Sequence, residues 1–351
     1  MMRSTIKNRI LFGLLVCLCP SLSVFAQTAA NDSLYFPPSQ GEWEHVAPAS
    51  VGWASDKLNE ALEIAGKNRS SAVVILHRGR IMAERYWELD QNRWEVGKDR
   101  AGHAIEDVAS AQKSVSSILV GIAQHKGLLG IQDSVQKYLG PGWSKASPDQ
   151  EKAIAIRHLL TMTSGLANDL TYEAPAGTRW LYNTVCYAHT LEVVAAAAKK
   201  TPNDLTREWL TGRIGMADSS WVERPGAVAR LNPRGFATTA RDLSRFGLLI
   251  LADGKWNGET VITDRDYLRA ALSPSQNLNP NYGYLWWLNT RQSRFPDAPA
   301  DMVAALGAGD HDLFVLPSLG LVVTRLGDAT GRGSSFQKSF LSCLMAAAPK
   351  K

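Results

Sequence analysis

The sequence predicts an α+β fold in which one antiparallel sheet is flanked by helices from both chain termini and an all-helical domain is inserted between its two halves. Three observations predict this arrangement. Segments with the pattern of β-strands occur near residues 71–87 and again after about residue 282. Between them, residues 110–215 carry mainly helical patterns. A helical pattern also precedes the first strand and follows the last one, so helices from both ends would cover the sheet.

The first helix and the first pair of strands come early in the chain. A stretch that begins near Ser55 has apolar residues at the spacing of one helix face: Leu58, Ala61, Leu62 and Ala65. The segments SAVVILH and IMAERYW then follow, joined by the turn residues Arg78-Gly79-Arg80, and they are typical of a β-hairpin. These elements predict the first part of an α/β sandwich domain, residues 45–108.

Residues 109–231 are predicted to form the helical domain, with the patterns SVSSILVGIAQH, IRHLLTMT and TVCYAHTLEVVAAAAKK. A helix opening at Thr239 returns the chain to the sandwich domain, residues 232–351. Four further strands are predicted at YGYLWWLN, MVAALGAG, DLFVLP and LGLVVTRLG. The closing segment SSFQKSFLSCLMAAA is an amphipathic helix with these residues on one face: Phe336, Phe340, Cys343 and Leu344.

The first 26 residues have the pattern of a secretory signal peptide, with basic residues first, then an apolar run, then small residues before a cleavage site after Ala26. The apolar run is short and interrupted by Pro20, so stable membrane insertion is not expected. A lipoprotein signal at Cys17 is the alternative, which the bulky Val16 disfavours. The sequence therefore predicts an exported protein, periplasmic or secreted, with residues 27–44 as a flexible lead-in.

The composition limits the partners that the protein can have. The chain has 351 residues, 45% of them hydrophobic and 20% charged, which is enough for a substantial core. Cleavage of the signal would lower the formal net charge from +5 to about +2, because three basic and no acidic residues would be lost. No basic patch interleaved with aromatic residues occurs, so nucleic acid and anionic membrane surfaces are not predicted partners. The oligomeric state stays open.

Cleavage would also leave two cysteines, Cys186 and Cys343, each within an apolar helical pattern. An oxidising compartment would allow them to form a disulfide, whereas two unpaired core thiols are the simpler interpretation. The segment His189-Thr-Leu-Glu192 lacks the second histidine that a zinc-binding helix needs. We therefore predict neither a metal nor an organic cofactor.

The pattern Ser-x-x-Lys could pair a nucleophile with a base, but it occurs four times: Ser4/Lys7, Ser110/Lys113, Ser134/Lys137 and Ser335/Lys338. Only Ser110 lies where strand-like sequence changes to a long apolar helix. Residues three apart on a helix share one face, and a helix N-terminus favours negative charge by roughly 0.3–1 kcal/mol. Burial beside the apolar run would lower the pKa of Lys113. A simple N-cap role for Ser110 is the alternative.

A series of longer phrases adds evidence that the spacing alone does not supply. In chain order they are VILHRGRIMAERYW, DVASAQKSVSSILVGIA, IRHLLTMTSGL, APAGTRWLYNT, GFATTARDLSRFGLLILADGKWNGE, YGYLWWL and LGAGDHDLFVLPSLGLVVTRLG. With these phrases the chain resembles the serine hydrolases of the β-lactamase and penicillin-binding-protein superfamily, particularly the class C-like branch of esterases, D-amino-acid peptidases and 6-aminohexanoate oligomer hydrolases. The resemblance spans nearly all of the chain after the signal and implies a β-lactamase/transpeptidase-like fold.

The resemblance implies that Ser110 is the acylated nucleophile and that Lys113 is its base or proton relay. The second family motif, Tyr-x-Asn or Tyr-x-Ser, reads Tyr182-Asn183-Thr184 here. Tyr182 keeps the phenol that could carry the serine proton to the leaving group, and a purely buried aromatic is the alternative. Thr184 keeps only a hydroxyl for positioning the substrate.

The third family motif is Lys-Thr-Gly or His-x-Gly in many relatives, and the aligned residues here are Gly307-Ala308-Gly309. The resemblance implies an oxyanion hole made by the N–H groups of Ser110 and of Asp310, the residue after the motif. Asp310 stands where glycine is commoner, and its carboxylate would repel an anionic substrate, bind a cationic one or point to solvent. The adjacent His311 gives no orientation for a Ser-His-Asp arrangement.

These features predict a serine hydrolase that cleaves ester or amide bonds of small molecules through an acyl-enzyme on Ser110. No Gly-x-Ser-x-Gly elbow occurs, which argues against an α/β-hydrolase. Because the third motif lacks its cationic or imidazole side chain, neutral or amine-bearing esters and amides are favoured. Two alternatives stay open: a β-lactamase or D,D-peptidase acting on cell-wall-type substrates, and a non-catalytic penicillin-binding-like envelope protein.

Overall fold

The computed structural model describes Met1, residues 33–329 and residues 336–349. The chain divides into two units, residues 1–34 and residues 35–351. The predicted signal peptide and its cleavage site lie outside the described residues, apart from Met1. Within the described residues, no helix combines the length and the apolarity needed to cross a bilayer.

The main sheet is antiparallel and is built from both ends of the chain, as the sequence predicts. Among the described residues, six strands form it in the order β2-β1-β12-β11-β10-β9. Their bounds are β1 Ser70–His77, β2 Arg80–Tyr86, β9 Trp287–Leu288, β10 Val303–Gly307, β11 His311–Leu316 and β12 Leu321–Gly327. The N-terminal hairpin therefore pairs with the last strand, and this pairing confirms the predicted fold class.

A second sheet was not predicted from the sequence. In the part of the chain that the structure describes it has four strands in the order β3-β4-β6-β5. Their bounds are β3 Glu95–Lys98, β4 Ala104–Asp107, β5 Ser220–Glu223 and β6 Arg234–Thr238. These strands are short and carry little alternation of apolar and polar residues, so the period-2 pattern that reveals a strand is missing. A small hairpin is made by β7 Lys255–Trp256 and β8 Glu259–Thr260.

The helices occupy most of the positions that the sequence predicts. Those bounded within the described residues are α1 Ser55–Lys67, α2 Gln112–His125, α3 Gln136–Leu139, α4 Pro148–Lys152, α5 Ile156–Leu160, α6 Thr184–Ala198, α7 Pro202–Thr206, α8 Gly212–Ile214, α9 Gly226–Ala229, α10 Ala240–Leu251, α11 Arg265–Ala271 and α12 Phe336–Ala346. Strand β5 is an exception, because it lies inside the predicted helical domain, residues 109–231. The domain boundaries near residues 109 and 231 stay a prediction, since residues 35–351 form one compact unit.

Helices from opposite chain ends, α1 and α12, pack together on one face of the main sheet. The predicted apolar face of α1 is buried, with each of its four residues at most 4% exposed. Phe336, Phe340 and Leu344 of α12 join the same core. Cys343 is only half-buried, Cys186 is buried, and both thiols are unpaired. Helix α10 covers the other face, where a Cβ at Gly247 would come within 2.7 Å of Val322 and Leu313.

Part of the segment predicted as a flexible lead-in is held against the sandwich. The backbone N–H of Tyr35 donates to the carbonyl of Arg78 over 2.9 Å, and Trp43 is 5% exposed. The buried guanidinium of Arg245 donates to the carbonyl of Pro37 over 2.9 Å. The lead-in is therefore attached to the sandwich at Tyr35, Pro37 and Trp43, while residues 38–42 between these points are exposed.

The buried carboxyl of Asp312 on β11 makes stability depend on pH. Burial raises its pKa to about 8, and Gln337 donates to Oδ1 over 2.6 Å. The folded chain therefore holds a proton that the unfolded chain releases above about pH 4, so stability falls as the pH rises from about 4 to about 8. We expect Asp312→Asn to remove this fall. The melting temperature of the variant minus that of the wild type should be at least about 2 °C higher at pH 9 than at pH 5.

Thermal unfolding of the two proteins at pH 5 and pH 9 checks this expectation. Asp297→Asn is the matched control, because Asp297 is exposed and should leave the pH dependence unchanged. Equal loss of stability between the two pH values in the wild type and in Asp312→Asn would contradict the assignment.

Candidate active site

Ser110 lies in a short 3₁₀ turn, Ala109–Ala111, between β4 and α2. This segment, called the serine turn below, confirms the predicted strand-to-helix junction. The carboxylate of Asp107 accepts a hydrogen bond from the N–H of Ala109 over 3.0 Å, and Arg224 donates to both oxygens of that carboxylate over 2.6 and 2.7 Å. Ala109 has a φ of +47°, which is uncommon for a residue with a Cβ. A buried ion pair therefore fixes a strained turn.

Lys113 points from the first turn of α2 at the serine. Its Nζ lies 2.8 Å from Ser110 Oγ and 3.5 Å from Thr184 Oγ1. The side chain is 2% exposed, with Nζ 4.0 Å from the ring centre of Tyr187 and 4.9 Å from that of Tyr182. The structure thus brings together the serine, the lysine and the tyrosine that the resemblance implies.

The environment of Lys113 favours its neutral amine. Burial, and in second place the positive charge of Arg224, lower the pKa of Lys113 well below its usual value. Among the described residues, no carboxylate lies within 4.0 Å of Nζ to hold the ammonium form. A neutral amine 2.8 Å from Ser110 Oγ is able to accept the hydroxyl proton.

Tyr182 belongs to an aromatic cluster and also lines the pocket above Ser110. Its ring stacks on Trp287 with 5.5 Å between centres, and, like Ser110, it lines the pocket. Burial raises the pKa of Tyr182 above its usual value, although the nearby Ser110 side chain and the charge of Arg294 act in the opposite direction. The phenol therefore keeps its proton at neutral pH and suits a proton donor.

The other two residues of the second motif, Asn183 and Thr184, contact neighbouring protein groups. Asn183 caps α6 by accepting a hydrogen bond from the N–H of Cys186 over 2.9 Å. Its side-chain amide donates to the carbonyls of Leu166 and Ala167 over 3.0 and 2.9 Å. Thr184 contacts Lys113, and it is not among the residues that line the pocket. The structure therefore does not bring Thr184 to the substrate-facing surface.

Strand β10 ends at Gly307, against the serine turn. A Cβ at this position would lie 2.3 Å from the carbonyl oxygen of Val108 and 3.2 Å from the nitrogen of Ala111. Only glycine permits so close an approach of two backbones. Residues 308–310, called the hairpin turn below, connect β10 to β11. Gly309 and Asp310 have φ values of +82° and +55°, so a left-handed backbone explains why glycine is commoner at the position of Asp310.

The contacts of Gly307 add a candidate for the oxyanion hole. The resemblance places the second donor on Asp310, whose carbonyl accepts a hydrogen bond from Arg325 over 2.9 Å. Gly307 is the residue that contacts the serine turn, and Ala308 follows it directly. The N–H of Ala308 is therefore a second candidate donor, which the sequence reasoning missed because it depends on where the strand meets the turn.

His311 is buried and pairs with Glu106 of β4 instead of with a catalytic aspartate. Its Nε2 lies 2.8 Å from Glu106 Oε2, and its Nδ1 lies 2.6 Å from the carbonyl oxygen of Ala308. Although burial acts to raise the pKa of Glu106, hydrogen bonds from His311 and from Ser71 and Asn92 lower it below its usual value. Both ring nitrogens contact oxygen atoms, one in the hairpin turn and one on β4, so the ring links the hairpin turn to the second sheet.

A pocket of about 870 Å³ opens above these groups. Of the predicted site residues, the following line it: Ser110, Tyr182, Gly307, Ala308, Gly309 and Asp310. Trp287 also lines it, while its neighbour Trp286 is fully buried. Among the described residues, no cluster of three or more His, Cys, Asp or Glu could hold a metal ion.

Sequence reasoning missed two arginines that line the same pocket, Arg93 and Arg294. Both lie in irregular segments and belong to no motif. Arg93 precedes β3, and Arg294 lies in the loop of residues 289–302 between β9 and β10. No periodicity or spacing in the sequence marks such positions, because their proximity to Ser110 arises only when both sheets are assembled.

A model of the beta-lactamase family matches residues 56–339, which is most of the chain and includes every site residue described above. The chain belongs to the beta-lactamase family. Members of this family are serine hydrolases. In this chain Ser110 lies beside Lys113, and both Ser110 and Tyr182 line the pocket.

One curated protein and several solved structures are also similar to this beta-lactamase-family chain. An uncharacterised protein of Alkalihalophilus pseudofirmus is 25% identical over 311 residues, which cover 80% of this chain and 89% of the relative. A Bacillus anthracis protein assigned as a 6-aminohexanoate-dimer hydrolase has a TM-score of 0.66 at 16% identity, covering 90% and 89% of the two chains. The hydrolase EstCE1, described with promiscuous acyltransferase activity, has a TM-score of 0.60 at 15% identity over 83% and 98%.

Proposed function

We propose that this beta-lactamase-family protein is an exported hydrolase that cleaves an ester or amide bond of a small molecule through an acyl-enzyme on Ser110. One observation carries the proposal: the Nζ of a buried lysine with a lowered pKa lies 2.8 Å from Ser110 Oγ, at a pocket wide enough for a small molecule. Similar solved structures include a hydrolase with acyltransferase activity, which supports acyl transfer as the reaction type.

The acylation step assigns each proton to a residue. Lys113 accepts the proton of Ser110 as Oγ bonds to the carbonyl carbon, and backbone N–H groups of Ser110 and the hairpin turn hold the oxyanion. The bond to the leaving group then breaks as Tyr182 donates its phenolic proton to the departing oxygen or nitrogen. Lys113, with Nζ 4.9 Å from the centre of the Tyr182 ring, returns the proton to the phenol.

Water completes the reaction. It attacks the acyl carbonyl and gives one proton to Lys113, the bond between the acyl carbon and Oγ breaks, and Lys113 returns that proton to Ser110. The product acid leaves, and no metal or organic cofactor is needed for either step. The aromatic wall formed by Trp287 and Tyr182 offers apolar contact to the part of the substrate beside the scissile bond.

Labelling with a fluorophosphonate probe followed by peptide mass spectrometry tests the proposal. We expect one modified residue, Ser110, and we expect Ser110→Ala to lose both the label and at least about 10³-fold in p-nitrophenyl ester hydrolysis. Ser134→Ala is the matched control, because Ser134 and Lys137 share the same spacing but Lys137 is exposed, and it should change neither. Mass spectrometry of the exported protein should show a first residue of Gln27.

The alternatives give different results in the same assays. A folded protein that no probe labels would indicate a non-catalytic envelope protein. Nitrocefin turnover that exceeds ester turnover would indicate a β-lactamase, and stable labelling by a fluorescent penicillin would indicate a D,D-peptidase. Unchanged ester hydrolysis by Ser110→Ala would exclude Ser110 as the nucleophile.

A further inference from the structure

The guanidinium of Arg294 lines the active-site pocket and has no close carboxylate among the described residues to balance it. It lies over the ring of Trp287 with Cζ 4.8 Å from the ring centre, and one of its nitrogens donates a long hydrogen bond of 3.4 Å to Gln337 Oε1. No Asp or Glu in the described part of the chain lies within 4.0 Å of it. A half-buried cation in this state loses hydration without gaining an ion pair.

The two nearest acidic residues do not supply a carboxylate partner for Arg294. Asp310 and Asp312 lie within electrostatic range of Arg294, but neither forms an ion pair with it. Asp312 is protonated around neutral pH, because burial raises its pKa to about 8. Burial also lowers the pKa of the Arg294 guanidinium itself, in keeping with a charge that lacks a close counterion.

Arg93, the second arginine that lines the pocket, differs from Arg294 because it has a carboxylate partner. Arg93 Nε lies 2.8 Å from Asp328 Oδ1, so its charge is balanced inside the protein. Its side chain is 62% exposed and rests on Trp94. Arg294 is therefore the pocket arginine placed to receive an anion from outside the chain.

We propose that Arg294 binds a carboxylate of the substrate, so that the enzyme acts on small acyl esters or amides that carry a free carboxylate remote from the scissile bond. This inference rests on the proposed function and deepens it. Arg294 stacks on Trp287 at 4.8 Å and Trp287 stacks on Tyr182 at 5.5 Å, which puts the guanidinium at most about 10 Å from the Tyr182 ring. A linker of about three to six methylene groups would span such a distance.

This assignment changes the substrate class that the sequence favours. The expectation of neutral or amine-bearing substrates followed from the missing cation of the third motif. Arg294 supplies a cation from the loop of residues 289–302 instead, on the aromatic side of the pocket. A planar guanidinium binds a carboxylate through two parallel hydrogen bonds, which a lysine does not reproduce.

Matched pairs of esters test the inference. The mono-p-nitrophenyl ester of adipic acid carries the carboxylate, and p-nitrophenyl hexanoate is its neutral counterpart. We expect Arg294→Met to lower the ratio of kcat/KM for the anionic ester to that for the neutral ester by about 10–100-fold, mainly through KM. Arg294→Lys should recover part of this loss. Arg291→Met, an exposed arginine of the same loop, is the control and should leave the ratio unchanged.

A binding measurement separates this inference from the proposed function. Titration calorimetry of monoethyl adipate against Ser110→Ala, with and without Arg294→Met, needs no turnover. Weaker binding by the double variant supports the carboxylate site even if neither ester is hydrolysed, a result that would overturn the proposed function alone. Equal binding by both proteins, or equal loss of anionic and neutral ester hydrolysis in Arg294→Met, overturns the carboxylate site.

Discussion

Lys113→Met is expected to lower kcat/KM for ester hydrolysis by about 10²–10⁴-fold, the usual contribution of a positioned general base. The reason is the 2.8 Å contact with Ser110 Oγ in a site where burial lowers the pKa of the amine. In the wild type, hydrolysis should rise with pH as Lys113 loses its proton, at a pH well below the usual lysine value. The variant should lose this rising limb.

The stability of the variant distinguishes chemistry from folding. Methionine is similar in length to lysine and needs no partner in an apolar site, so Lys113→Met should keep or raise the melting temperature. Lys137→Met is the matched control, because Lys137 has the same spacing from a serine but is 59% exposed and paired with Asp133 at 2.8 Å. A variant at Lys113 that retained the rising limb would show that another group is the base.

Gly307→Ala is expected to lower kcat by about 10²–10³-fold, the cost of losing one oxyanion donor elsewhere. The new Cβ would lie 2.3 Å from the carbonyl oxygen of Val108, so β10 has to move away from the serine turn. Movement of the strand carries with it the N–H groups of the hairpin turn. Overpacking of this kind costs about 1–3 kcal/mol of stability.

A second glycine of a strand provides the control for this variant. A Cβ added at Gly97 of β3 would meet no atom of the described residues within 4 Å, and Gly97 has no left-handed φ. Gly97→Ala should therefore leave both rate and stability nearly unchanged. The rate and the free energy of unfolding, from urea titration, should be measured together. Full activity in Gly307→Ala would show that the approach of β10 to the serine turn is not needed for oxyanion binding.

The predictable parts of the fold are those with strong local patterns. Helix α1 and the hairpin of β1 and β2 follow from periodicity within single segments, and one sheet built from both chain ends follows from the strand patterns at each end. The pairing of β1 with β12, which joins the two halves of that sheet, comes from the structure. The second sheet was missed because its strands are four or five residues long and mostly lack an alternating pattern. That sheet positions the site, since its β4 ends at Asp107, which bonds to the serine turn.

The sequence by itself determined the order of the motifs, the family resemblance and the identity of Ser110, Lys113 and Tyr182 as candidates. Only the tertiary structure showed the physical difference between the two pairs: Lys113 is 2% exposed, whereas the side chain of Lys137 is 59% exposed. Spacing is a local property of the chain and is the same in both pairs, whereas the pKa of a lysine depends on what buries it. Tyr182, Tyr187 and Arg224 surround Lys113 from about 70 to 110 positions further along the chain. The role of Arg294 could not be predicted from the sequence for the same reason. Whether an arginine has a carboxylate partner depends on the residues that folding brings near it.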